Sequence, residues 1–196
     1  DSGGGPRIYA VDIATCRTVA TLTLAGAQAR DLEAIGSGRD ARGRPILWVG
    51  DIGDNLNSWS EVRLLQVREP RVLRDRTLPV RTFRFTYPEG PQNAEALLTD
   101  PRSMKVWVVT KKLANGALYE LKIAGYTNDD PSTGFRNGTF SLVTSGGTTL
   151  ARPEDGAWDT INPNRYYFVT TASFSGNTRL WRLTFSDITQ PELGGS

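Results

Sequence analysis

Short apolar and aromatic runs bounded by turn residues recur along this chain, and no stretch repeats its apolar positions at the interval of an amphipathic helix. ILWVGD (46–51), KVWVVTK (105–111) and RYYFVTT (165–171) are short β-branched and aromatic runs. Each is followed by another: VRLLQV (62–67), ALYELKI (117–123) and RLWRLTF (179–185). Val, Ile, Tyr, Phe and Trp suit a pleated, half-buried surface, so these runs predict strands. RIYAVDI (7–13) reads as one more copy of the second kind. TVATLTL (18–24), RTFRFTY (81–87) and TFSLVTS (139–145) read as outer strands. Turn residues punctuate the runs, among them Gly36 and Gly38, Asp100–Pro101, Asn115–Gly116, Asn162–Pro163–Asn164 and Gly176–Asn177.

A glutamate set among small apolar residues precedes each aromatic strand: Glu33 in RDLEAIG, Glu95 in NAEALL and Glu154 in RPEDGAW. Sixty-two residues separate the first two and 59 the second two, and Val49, Val109 and Val169 keep the same step at 60. Four short antiparallel strands recurring about every 60 residues are the pattern of β-propeller blades. The expected fold is therefore all-β, with about three to three and a half blades in this chain. The outer strands of a first blade span 7–24, and blades follow at 28–87, 91–145 and 150–190. Innermost strands are expected near 30–36, 93–98 and 154–159. So few blades suggest part of a six-bladed ring, closed by further blades, by a second copy, or by N-terminal strands completing the last blade.

In such a blade the innermost strand runs antiparallel to the second, which places the start of one beside the end of the other. Glu33 then lies near Asp51 and Asp54 of GDIGDN, Glu95 near Lys111 and Lys112, and Glu154 with Asp155 near Thr170 and Thr171. A ring of carboxylates around one channel mouth repels itself unless a cation compensates. The 196 residues include no histidine and one cysteine, Cys16, so oxygen donors remain and select a hard ion, Ca²⁺ before Mg²⁺ or Mn²⁺. The same glutamates would also serve by hydrogen-bonding backbone amides of the neighbouring blade and fixing blade spacing. GDIGDN resembles part of a calcium loop but lacks the spacing and terminal Glu of an EF-hand, and an acidic turn capping a hairpin reads equally well.

Composition narrows the field further. With 38% hydrophobic and 22% charged residues the chain reads as a soluble globular domain, without an apolar run near 18 residues for a membrane span. A net charge of +2 gives no reason to expect a nucleic-acid partner. The run Arg63, Arg68, Arg71, Arg74, Arg76, Arg81 and Arg84, interleaved with Glu61, Glu69 and Asp75, reads as a solvated outer face rather than an anion-binding patch. The start, DSGGG without methionine or signal peptide, reads as a mature or excised segment. Cys16, in a turn between two strands, reads as an inert thiol.

DLEAIGSG, followed by LWVGDIGDN and then by NAEALLTDP and VWVVTKK, resembles bacterial secreted propellers of the phytase-like, esterase-like group. RPEDGAWDTINPNRYYFVTTASFSGNTRLWRLTF is similar to the propeller family that includes PhoX-type alkaline phosphatases. Together the likenesses cover roughly residues 28–190. They imply a secreted or periplasmic six-bladed propeller, with cations held by acidic side chains at the channel mouth and acting on phosphoesters. Glu33, Glu95 and Glu154 match the metal-facing glutamates, with Asp155 beside the last. PhoX-type enzymes also hold iron on a cysteine, and Cys16 sits in an outer turn unsuited to that role.

Two functions follow as expectations. In a calcium-dependent phosphoester hydrolase, Glu33, Glu95, Glu154, Asp51 and Asp54 hold the metal, and Glu95 or Asp155 takes the proton of the attacking water. Lys111, Lys112 and Arg152 would bind phosphate oxygens, although each reads more readily as a surface charge or a partner for a nearby glutamate. The alternative is a non-catalytic extracellular propeller that binds a glycan or a protein, or a propeller fragment that self-assembles.

Overall fold

The computed structural model describes residues 4–100, 105–111, 117–123, 136–142, 153–171 and 178–187, of which 121–123, 136–142 and 153–155 are described as backbone alone. Among these the chain is all-β, with no helix. A hairpin opens it: β1 (Arg7–Asp12) and β2 (Arg17–Ala25). A meander follows, comprising β3 (Leu32–Arg39), β4 (Pro45–Asp51), β5 (Val62–Arg68) and β6 (Arg76–Thr86). The second meander comprises β7 (Ala94–Thr99), β8 (Val106–Thr110), β9 (Leu118–Ile123) and β10 (Arg136–Leu142). Three strands close the series: β11 (Pro153–Trp158), β12 (Arg165–Thr171) and β13 (Thr178–Thr184). Cys16 is exposed in the first hairpin turn with φ 55°, a left-handed conformation that usually falls to glycine or asparagine.

Successive side chains of a strand face opposite ways, and here both faces of the first meander are buried. Ile46 and Trp48 of β4, Val62 and Leu64 of β5, and Phe83 and Phe85 of β6 point into a core shared with Ala94, Leu97, Val106, Val108 and Tyr119 of the second meander. Trp48 meets Phe83 edge-on, with ring centroids 5.2 Å apart. The alternate residues Val49, Leu65, Val67 and Leu78 meet Ala20, Leu22 and Leu24 of the hairpin. On the far side of the second meander, Leu98 and Trp107 pack with Tyr166 and Phe168 of β12. The units therefore stack face to face in chain order, and the first strands lie together, β3 against β7 and β7 against β11. Gly36 makes the first of these contacts possible: a Cβ there would stand 2.8 Å from both Leu97 Cδ2 and Thr99 Cγ2.

The hairpin and the two meanders are not separate sheets. β6 begins at Arg76, ahead of the predicted run at 81, and overhangs β5, which it pairs with over Val80–Phe85. Arg76–Pro79 pairs in parallel with Leu22–Ala25 of β2, and Phe83–Thr86 takes Arg136–Thr139 of β10 in parallel on the edge opposite β5. Backbone groups that a longer strand would leave unpaired are satisfied by the strands of its neighbours. The hairpin and both meanders thus form one continuous ten-stranded sheet, and β11–β13 a separate one.

Candidate functional site

The three first strands share a local irregularity. Each begins beside the end of its second strand: Leu32 opposite Asp51, Ala94 opposite Thr110 and Pro153 opposite Thr170. In each pair the register then slips, between Leu32 and Ala34, between Ala94 and Ala96, and between Pro153 and Gly156. Glu33 and Glu95 are the residues inside the first two slips, and Glu154 with Asp155 lies inside the third. A bulge leaves its extra residue out of the ladder and re-aims its side chain, which is why a polar residue is tolerated at the head of an otherwise apolar strand.

Asp31 joins Glu33 at the first bulge. Residues two apart on an extended chain face the same way, and the two carboxyl groups share a hydrogen bond. Burial, that hydrogen bond and the negative charge of Asp31 push Glu33 up to about 7, against a smaller downward pull from the Lys111 ammonium. The pair rests on the backbone of Gly53, where a Cβ would fall 2.5 Å from Asp31 Oδ2 and 2.8 Å from Glu33 Cγ. Any side chain at 53 would push the carboxyl groups aside.

An amide relay links this pair to the second bulge. Asn55 Nδ2 donates to Asp31 Oδ2 at 3.4 Å, and Asn93 Nδ2 donates to Asn55 Oδ1 at 3.2 Å. The Asn93 side chain also accepts from the Asp54 amide at 2.9 Å, its own amide donates to Asn57 Oδ1 at 2.9 Å, and its carbonyl accepts from the Lys111 amide at 2.8 Å. Lys111 Nζ in turn donates to Glu95 Oε1 as an ion pair, with side chains 16% and 7% exposed. The loop after β4 is thereby tied to the start of β7, and Asp31, Glu33, Glu95 and Lys111 belong to one polar cluster at the shared end of the first strands. Glu33 also borders a cavity of about 620 Å³, walled by Leu32, Ile35, Val49, Leu97 and Gly156 and by Arg7 and Tyr9 of β1.

Two expected ligands have other work. Asp51 Oδ1 accepts the amides of Arg30 and Asp31 at 2.8 and 2.7 Å, while its Oδ2 faces Arg30 Nε at 3.4 Å. Asp54 accepts the amides of Ser58 and Trp59 at 3.0 and 2.8 Å. Both carboxylates brace main-chain amides of the loops beside them. Arg30 completes the brace by lying 3.9 Å over the Trp59 ring. Lys112 and Arg152 lie outside the described residues, and Glu154 and Asp155 are described as strand backbone alone. Among the described residues no group of three or more acidic side chains is arranged to hold a metal ion.

Asp31, Asn55 and Asn93 are members that the sequence reading missed. A signal was present: Asp31 and Asn93 each stand two residues before a repeat glutamate, the spacing that puts them on its side of the strand. No family model matches the chain, and no curated protein matches it.

Proposed function

We propose that the chain is a portion of a calcium-binding, extracellular β-propeller that acts on a phosphoester, in the manner of the secreted hydrolases its sequence resembles. The observation that carries this reading is the repeat of a bulge-borne glutamate at the head of three first strands, with Asp31 and Glu33 in carboxyl–carboxyl contact at one of them. Two such groups near neutral pH share a proton or share a cation. Their hard oxygen donors, with no thiolate or imidazole beside them, fit Ca²⁺. Asp31 and Glu33 would hold the ion, and when bound it supplies positive charge and Lewis acidity to a phosphoryl oxygen.

The chain's own residues divide the remaining work. Asn55 and Asn93 fix the loop that carries Gly53, so the carboxyl pair is oriented before any ligand arrives. Lys111 carries the positive charge of the cluster and would meet an anionic oxygen; Glu95 holds that ammonium in place. For Glu95 to accept a proton from water, the ammonium must first turn towards the substrate.

A second reading, a non-catalytic propeller that uses calcium for rigidity and its face for a glycan or protein, has its own support. Glu95 is already engaged by Lys111, and Asp51 and Asp54 by main-chain amides. Hydrolysis of p-nitrophenyl phosphate by chelator-treated protein, with and without Ca²⁺, separates the two. Calcium-dependent turnover that is lost in Glu95→Gln and Lys111→Met supports the hydrolase. Calcium-dependent stabilisation without turnover supports the scaffold, and neither response overturns both.

A further inference from the structure

We propose that the opposite end of the first meander carries an oxyanion-binding groove, separate from the carboxyl cluster. β4 begins there and β5 ends there, with Ile46 opposite Arg68, and Gln66 stands opposite Arg81 of β6. Directly paired residues share a face, as do residues two apart, so Ile46, Gln66, Arg68 and Arg81 all point one way. This face is the continuation of the one that Trp48, Leu64 and Phe83 bury further along. Here these residues, with Arg44 and its partner Asp40, border a groove of about 280 Å³. A second groove of about 360 Å³ adjoins it, sharing Arg44 and Arg68 and adding Arg71 and Arg76.

Charge and hydrogen bonding both leave this place short of an acceptor. Arg44 is paired with Asp40 at 2.6 Å, whereas Arg68, Arg71, Arg76 and Arg81 form no ion pair among the described residues. Glu69 is the one carboxylate bordering the second groove, and it too stands outside any ion pair. Gln66 is 6% exposed, and its amide nitrogen meets no hydrogen-bond partner. A buried amide donor without an acceptor is costly, and several unpaired guanidinium groups on one rim repel each other. One tetrahedral oxyanion answers both: guanidinium forks match its oxygens, and a further oxygen accepts from Gln66. The small grooves and a net charge of only +2 favour a single phosphate-sized group over a polyanion. Arg68, Arg71, Arg76 and Arg81 of the run read from sequence as a solvated face thus form a rim over a polar floor.

The test is a titration of the full chain with inorganic phosphate at constant ionic strength, with sodium chloride as the matched control. Nitrogen-15 spectra read the Arg68 and Arg81 Nε–H and the Gln66 side-chain amide. Saturable shifts at all three with phosphate, and none with chloride, are expected. Arg68→Ala/Arg81→Ala should weaken binding at least ~10-fold; both arginines are exposed, so the core is untouched. Gln66→Leu, which keeps the buried volume, should weaken binding while the melting transition stays cooperative. Equal shifts with chloride, no saturation, or wild-type affinity in the double variant would overturn the proposal. None of these residues belongs to the carboxyl cluster, so that outcome leaves the calcium reading standing.

Discussion

Replacing Glu33 by Gln tests the carboxyl cluster at its most sensitive point. Glu33 is pushed from an ordinary 4.5 to about 7, chiefly by burial and by Asp31. In the metal-free protein the folded state therefore binds more protons than the unfolded state between about pH 4.5 and 7. Stability from this group is complete below the lower value and is lost as pH rises through the upper one. The full shift, at ~1.36 kcal/mol per unit, would give about 3.4 kcal/mol. Glu33 is only half-buried, and solvent screening reduces this to about 1–2 kcal/mol. Gln keeps the shape and can donate to Asp31, but it carries no charge to lose. With chelator present, Glu33→Gln should match wild type near pH 5 and exceed it near pH 8 by that amount. For a chain of this length the difference is about 3–6 °C in Tm. Urea melts followed by tryptophan fluorescence at both pH values make the measurement. A variant less stable than wild type at pH 8, or a difference independent of pH, would refute the reasoning.

Three further outcomes test other parts of the structure. Lys111→Met removes the ammonium paired with buried Glu95 and should cost about 2–4 kcal/mol in urea melts, with Glu95→Gln in the same chain restoring most of it. Gly36→Ala places a Cβ 2.8 Å from Leu97 and Thr99 and should lose about 1–3 kcal/mol by separating β3 from β7. Phe83→Ala removes a ring that is 1% exposed between the two meanders, and should lower stability by about 3–5 kcal/mol with no change in calcium response.

The strands were legible because those buried on both faces read as short continuous β-branched and aromatic runs between turn residues. Trp48, Val108 and Phe168 fall on second strands and Leu65, Tyr119 and Trp181 on third strands, as their runs predict, while Tyr9 lies on the first strand of the opening hairpin. The placement of Glu33 near Asp51 and of Glu95 near Lys111 followed from antiparallel register alone. The parallel pairings of β6 with β2 and β10 were not legible, since they are made by backbone groups that every residue type carries. The role of Asp51 was hidden for a related reason. A carboxylate near a turn faces main-chain amides or a channel depending on one side-chain torsion, and its neighbours in sequence do not say which. Asp31 was the omission the sequence could have prevented, by its two-residue spacing from Glu33.

Calcium binding to chelator-stripped protein, measured by isothermal titration calorimetry near pH 7.5, tests the central proposal most directly. The account predicts saturable binding by wild type, at least ~10-fold weaker binding by Asp31→Asn and by Glu33→Gln, and unchanged binding by Asp40→Asn, whose carboxylate lies at the other end of the sheet paired with Arg44. Wild-type binding that all three variants share, or no saturable heat at all, would contradict it.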